Sequence, residues 1–291
     1  MPHCELPACV GLGGPLTAFA NAAGTDTQAQ VHIKLLHQHI AVRLVLEGGF
    51  LPDEIRPHPP LYTRKQGSRY VLEFDAERST SSEQTIIGGL KSKNVDVVVT
   101  KEGLGPVVAI SVKGTTGAFR NLTNRMEEAI GDCTNVHIMY PGLVYGFMAV
   151  VRANRATQRG IKPNDICIQR DGSVAQSIVR YHDILSGLAG RRFVRDEPTR
   201  YEAVALVLVE PRGAAAGTVL PDFPSADSPL HFPHFFPAIY EAYDLRYPYM
   251  ASQMKLAERV EWDEDSPALV RMGDVLGSAI GHALGYTPRL A

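Results

Sequence analysis

The chain has 291 residues, 45 % of them hydrophobic and 21 % charged, with a formal net charge of −2. These values exclude a disordered or fibrous chain, and they exclude nucleic-acid binding through sheer positive charge while leaving room for a local basic cleft. A chain of this size buries a sizeable core without disulfide or metal staples.

Residues 1–25 carry Pro2, Pro7 and Pro15 but neither a basic leader nor a continuous apolar run, so no signal peptide is expected. They read as a poorly ordered N-terminal extension to a single domain spanning 26–291. No run of about 18 apolar residues exists to span a membrane. Cys4, Cys9, Cys133 and Cys167 are too scattered for a disulfide framework and read as ordinary thiols of a cytoplasmic protein.

In chain order, Thr25 and Asp26 offer a cap to a helix over Gln28–Glu47, stopped by Gly48 and Gly49. His32, His37 and His39 lie on it without the spacing of a helical metal site, so they read as surface or packing histidines. A proline-rich connector (Pro52, Pro57, Pro59, Pro60) leads to a strand at Tyr70–Phe74. Ser79–Thr85 then reads as a loop or a short capped helix. Val95–Val99 and Val107–Lys113 are β-rich and flank a turn holding Gly103, Gly105 and Pro106, which predicts a hairpin.

A helix over Asn121–Cys133, an apolar run at Leu143–Val151, a helix over Ser173–Leu188 capped by Ser173, and a strand at Ala203–Val209 complete a mixed α/β pattern. Charge is uneven: Arg152–Arg200 holds ten basic and five acidic residues, and Glu241–Asp265 holds three basic and seven acidic. Such blocks are usually solvated surface, although the basic one suits a groove for a polyanion.

Competing motifs fail. Gly11–Gly14 follows no strand, Lys113-Gly114-Thr115-Thr116 lacks the upstream glycine spacing of a phosphate loop, and no Gly-x-Ser-x-Gly elbow occurs. Phe232, Phe235 and Phe236, with His231 and His234, form an aromatic segment expected to pack, or to stack on an unpaired base.

The informative combination is Asp96 on one arm of the hairpin and Lys113 at the end of the other. A carboxylate inside an apolar strand needs a cation, a metal or water if it is buried. Asp96 followed by Ser111-Val112-Lys113 resembles the active-site motif of the PD-(D/E)XK nuclease superfamily, with Val95 in place of the proline and Ser111 in the slot of the usual acid.

The likeness covers about Tyr70–Val151 and implies a restriction endonuclease-like core, a mixed sheet flanked by helices. The Ser-x-Lys form is similar to a branch of type II restriction endonucleases cutting CCGG-like sites. In that branch a Glu about fourteen residues past the lysine, on the next helix, supplies the acid; here that is Glu127. On a helical wheel Glu127 lies nearer the apolar stripe of Leu122, Met126, Ala129, Ile130 and Cys133 than Glu128 does. Gly114–Arg120 departs from that branch's recognition segment.

The resemblance implies a Mg²⁺-dependent endodeoxyribonuclease acting on double-stranded DNA as a homodimer. Asp96 and Glu127 would bind metal, Lys113 would be catalytic, and Ser111 would support the cluster by a hydrogen bond. Glu128, Glu47 and Glu83 stand as alternative second acids, and Lys91, Lys93, Arg120 and Arg125 as phosphate contacts. The competing class is a non-catalytic nucleic-acid- or protein-binding module on the same fold. A structure-specific repair or RNA-processing nuclease is a third reading.

Overall fold

A computed structural model describes residues 9–22, 30–211, 213–248, 252–276 and 284–291. The helices are α1 (Gly13–Ala20), α2 (Lys34–Leu46), α3 (Leu122–Met139), α4 (Gln176–Gly187), α5 (Phe232–Arg246) and α6 (Pro267–Leu276). The strands are β1 (Ile55–Arg56), β2 (Leu61–Gln66), β3 (Arg69–Phe74), β4 (Gln84–Ile86), β5 (Lys93–Val95), β6 (Val97–Lys101), β7 (Gly105–Thr115), β8 (Val144–Arg152) and β9 (Ala203–Val209).

Five strands form a mixed central sheet in the order β1-β6-β7-β8-β9. Its first three members run antiparallel, and β8 and β9 join parallel to β7. The pairs β2/β3 and β4/β5 form separate two-stranded ladders. This is the expected α/β class.

Alternation along the strands divides the interior into two layers. Val97, Val99, Val108, Ile110 and Val112 pack under α1, α2 and α5. Val98, Ala109, Tyr145, Phe147 and Leu206 face the opposite layer, built from Leu122, Met126 and Cys133 of α3 and Ile178, Tyr181 and Leu185 of α4. Each large side chain so buried contributes about 1.5–3 kcal/mol relative to exposure.

Helix α2 is enclosed by the fold: Leu36 through Leu46 are all buried, with His37, Gln38, His39 and Arg43 among them. It is preceded by a 3₁₀ turn at Gln30–Ile33. Gly49 follows it with φ +70°, and a β-carbon there would meet the Val260 carbonyl oxygen at 2.3 Å, so this position excludes other residues.

Several elements differ from expectation. Strand β7 continues to Thr115 because β8 pairs with it that far. Helix α3 reaches Met139 because Val136 extends its buried stripe. Helix α4 begins only at Gln176, since Ser173 instead donates from N and Oγ to Asp171 in the preceding turn.

Within the stretch set apart as an N-terminal extension, α1 buries Leu16 and Phe19 in the same core as α2. Cys9 is disulfide-bonded and so is not the ordinary thiol expected, while Cys133 and Cys167 are free and buried; Cys4 lies outside the described residues. The aromatic segment forms the start of α5, whose Phe235 and Phe236 are buried. Among the described residues no helix is long and apolar enough to cross a membrane.

Candidate functional site

Asp96 occupies the break between β5 and β6, where the chain leaves the small β4/β5 ladder for the central sheet. The first β6 pair is Val97 with Ile110, so the Val112 N–H lies beyond the last rung. Asp96 Oδ2 accepts that N–H at 2.7 Å. The side chain is thereby fixed by the backbone of the strand that carries Lys113. Asp96 is only 3 % exposed.

The β4/β5 register pairs Gln84 with Val95, so Glu83 and Asp96 are the next two residues at its open end. Like charges directly opposite one another repel, and this pair therefore calls for a cation. The segment carrying Glu83 is held by α2, where Gln38 Nε2 donates to the Thr80 carbonyl. It is also held by His58, whose N–H donates to Thr80 Oγ1 at 2.8 Å.

One residue before Gln38 stands His37, 3 % exposed, with Nε2 3.7 Å from Asp96 Oδ1. This nitrogen is buried and has no hydrogen-bond partner. Ligand atoms of His37, Glu83 and Asp96 all lie within 4.8 Å of one another. An imidazole nitrogen left without a partner and two carboxylates make a fitting donor set for a divalent cation.

Burial pulls the His37 pKa below its ordinary value. Asp96 offsets part of that shift, and the ammonium groups of Lys113 and Lys34 add to it. Lys113, half-buried on β7, is thus electrostatically part of the same site.

Other expected site residues are placed differently. Glu127 is exposed on α3 and is absent from the metal-ligand group found among the described residues. The helical turn that brings Leu122, Met126 and Ala129 onto the sheet directs it to solvent. Glu128 pairs with Arg125 at 3.0 Å. Glu47 is held by Arg43 at 2.7 Å and by the Tyr240 hydroxyl at 3.1 Å.

Ser111 is buried, its Oγ 2.8 Å from Tyr145 Oη, on the layer beneath α3. Lys93 is ion-paired with Asp132, and Lys91 is exposed. The side chain of Arg120 lies outside the described residues. We therefore expect Glu83→Ala to lower divalent-cation affinity at least about tenfold, with Glu127→Ala unchanged; calorimetric titration of both variants checks this.

Beyond Lys113, the loops after β7 and β8 emerge side by side. Thr115, Gly117, Asn121, Asn124 and Arg125 line a polar pocket of about 340 Å³ there. The buried Asn154 donates from Nδ2 to the carbonyls of Thr116 and Asp165, each at 2.9 Å. Asp165 Oδ1 in turn accepts the Ala118 N–H at 2.6 Å. Arg159, Lys162 and Arg170 of the second loop are exposed. In the rest of the basic block, Arg155 is paired with Glu210, Arg191 with Glu202 and Arg192 with Glu241.

His37 was not legible as a ligand, because its partners come from a loop and a strand junction rather than from its own helix. No protein-family model, curated protein or solved structure matches this chain.

Proposed function

We propose that this protein is a divalent-cation-dependent endodeoxyribonuclease of the type II restriction endonuclease kind, acting on double-stranded DNA as a homodimer. The observation that carries this reading is the convergence of Asp96, Glu83 and His37, with Asp96 bonded to the backbone of β7 one residue before Lys113. The fold supports it at a coarser level: a mixed sheet flanked by helices, as the PD-(D/E)XK resemblance implies.

In this reading Asp96, Glu83 and His37 hold the cation, with Mg²⁺ the ion the resemblance implies. Such an ion, when bound, acidifies a water and neutralises charge on the phosphoryl oxygens. The Lys113 ammonium orients the attacking water and stabilises charge that builds up on the phosphorus-bound oxygens. The exposed cations of the loop after β8, Arg159, Lys162 and Arg170, contact the phosphate backbone and set the register of the duplex.

The test is incubation of supercoiled plasmid with the protein and Mg²⁺, Mn²⁺ or EDTA. Cation-dependent conversion to discrete linear fragments is expected, with none in EDTA. Absence of cleavage with either cation overturns the reading in favour of a binding module. That alternative draws on Ser111, whose hydroxyl is engaged by Tyr145 where the superfamily has an acid. Cuts confined to branched or flapped substrates point instead to a repair-type nuclease.

A further inference from the structure

We infer that the site selects a first-row transition ion of the Mn²⁺ class over Mg²⁺, and that His37 is the residue that sets this preference. The inference rests on the metal-dependent reading above for its location, but its test needs no DNA. Mg²⁺ is a hard cation that binds through one or two carboxylates and retains its waters. An all-carboxylate corner would suit it. Here the third donor is an imidazole, a ligand that Mg²⁺ and Ca²⁺ disfavour and that divalent first-row transition ions take up with affinity rising from Mn²⁺ onward.

Two features make this donor more than a neighbour. His37 Nε2 is buried without a hydrogen-bond partner, and a buried polar atom left unpaired is costly. It also stands 3.7 Å from Asp96 Oδ1, on the side where Glu83 completes the group. Helix α2 offers no solvent-facing alternative for this side chain, because its neighbours Leu36 and Gln38 are buried as well. A coordinated cation satisfies the unpartnered nitrogen and relieves the repulsion between Glu83 and Asp96 together.

Titration of the full-length protein with Mn²⁺ and with Mg²⁺, followed by calorimetry, tests the preference. Mn²⁺ is expected to bind at least about tenfold more tightly, and His37→Glu to reduce the Mn²⁺-to-Mg²⁺ affinity ratio by at least about tenfold while Mg²⁺ binding persists. Should His37→Glu not fold, pulsed EPR of the wild-type Mn²⁺ complex supplies an independent readout: coupling to a directly bound imidazole nitrogen is expected. Equal affinities, or a Mn²⁺ complex without nitrogen coupling, overturn the inference. Nitrogen-coupled Mn²⁺ binding without plasmid cleavage upholds it while removing the nuclease reading.

Discussion

Lys113→Met is expected to slow plasmid cleavage by about 10²- to 10³-fold, the usual cost of removing one charge that meets the transition state, with cation affinity unchanged. Asp96→Asn is expected to abolish cleavage and cation binding together. The contrast follows from where the two groups sit. Methionine keeps the half-buried stem of Lys113 on β7 and removes only the ammonium, which is no metal ligand.

Asparagine at 96 can still accept the Val112 N–H through its amide oxygen, so the junction between the ladders survives. It loses the charge that faces Glu83 and His37. Cleavage rates, Mn²⁺ titration and thermal melting, measured on both variants, separate the outcomes. A Lys113→Met protein cutting within a few-fold of wild type, or an Asp96→Asn protein that still binds the ion with wild-type affinity, removes these residues from the proposed chemistry.

Glu202→Gln is expected to destabilise the protein by about 3–5 kcal/mol at neutral pH, the range for breaking a buried ion pair on one side. The Glu202 side chain is fully buried and meets Arg191 Nη1 at 2.7 Å and Arg246 Nη2 at 2.6 Å. It also meets His137 Nε2 at 3.5 Å and accepts the Tyr145 N–H at 2.5 Å. Both guanidinium groups are buried as well, so a neutral glutamine leaves them uncompensated.

Burial alone would raise the Glu202 pKa. The nearby His137, the charge of Arg246 and the Tyr145 N–H outweigh it and hold the carboxyl below its ordinary value. Because the folded-state value lies below the unfolded one, the stabilisation is complete above the ordinary carboxylate range and is lost as pH falls through the folded value. The gap between wild type and Glu202→Gln in denaturant unfolding therefore narrows with acidification. A gap below about 1 kcal/mol at pH 7 would mean that the network is not a structural staple.

Much of the central sheet was readable because its strands carry period-two or continuous apolar runs. Val95–Val99, Val107–Lys113 and Ala203–Val209 all fall on strands or their junctions, and Asp96 stands out as the polar break. Glu83 was harder. Its strand, Gln84-Thr85-Ile86, and the facing Lys93-Asn94-Val95 are three residues each and mostly polar, too short to display alternation. Only the paired register shows that residues 83 and 96 face each other.

His37 was hidden for the opposite reason. Its helix buries Gln38, His39 and Arg43 along with its apolar residues, so nothing in the pattern distinguishes a packing histidine from a ligand. Glu127 followed from spacing after Lys113, and spacing cannot tell which way a helix turns once Leu122 and Met126 dock. The opening of α5 carries Pro233 in its first turn, where proline is tolerated, and Pro237 inside the helix, where it masks the helical pattern.

Asn154 has a consequence for how this protein can diversify. Through one amide it fastens the connection after β7 to the connection after β8, and Asp165 returns the grip at Ala118. Neither connection is an independent module, so an insertion or exchange in one pulls on the other's backbone. Grafting a new connection between relatives would succeed only as a matched pair transplanted with its asparagine, and natural drift in this rim would be concerted rather than piecemeal.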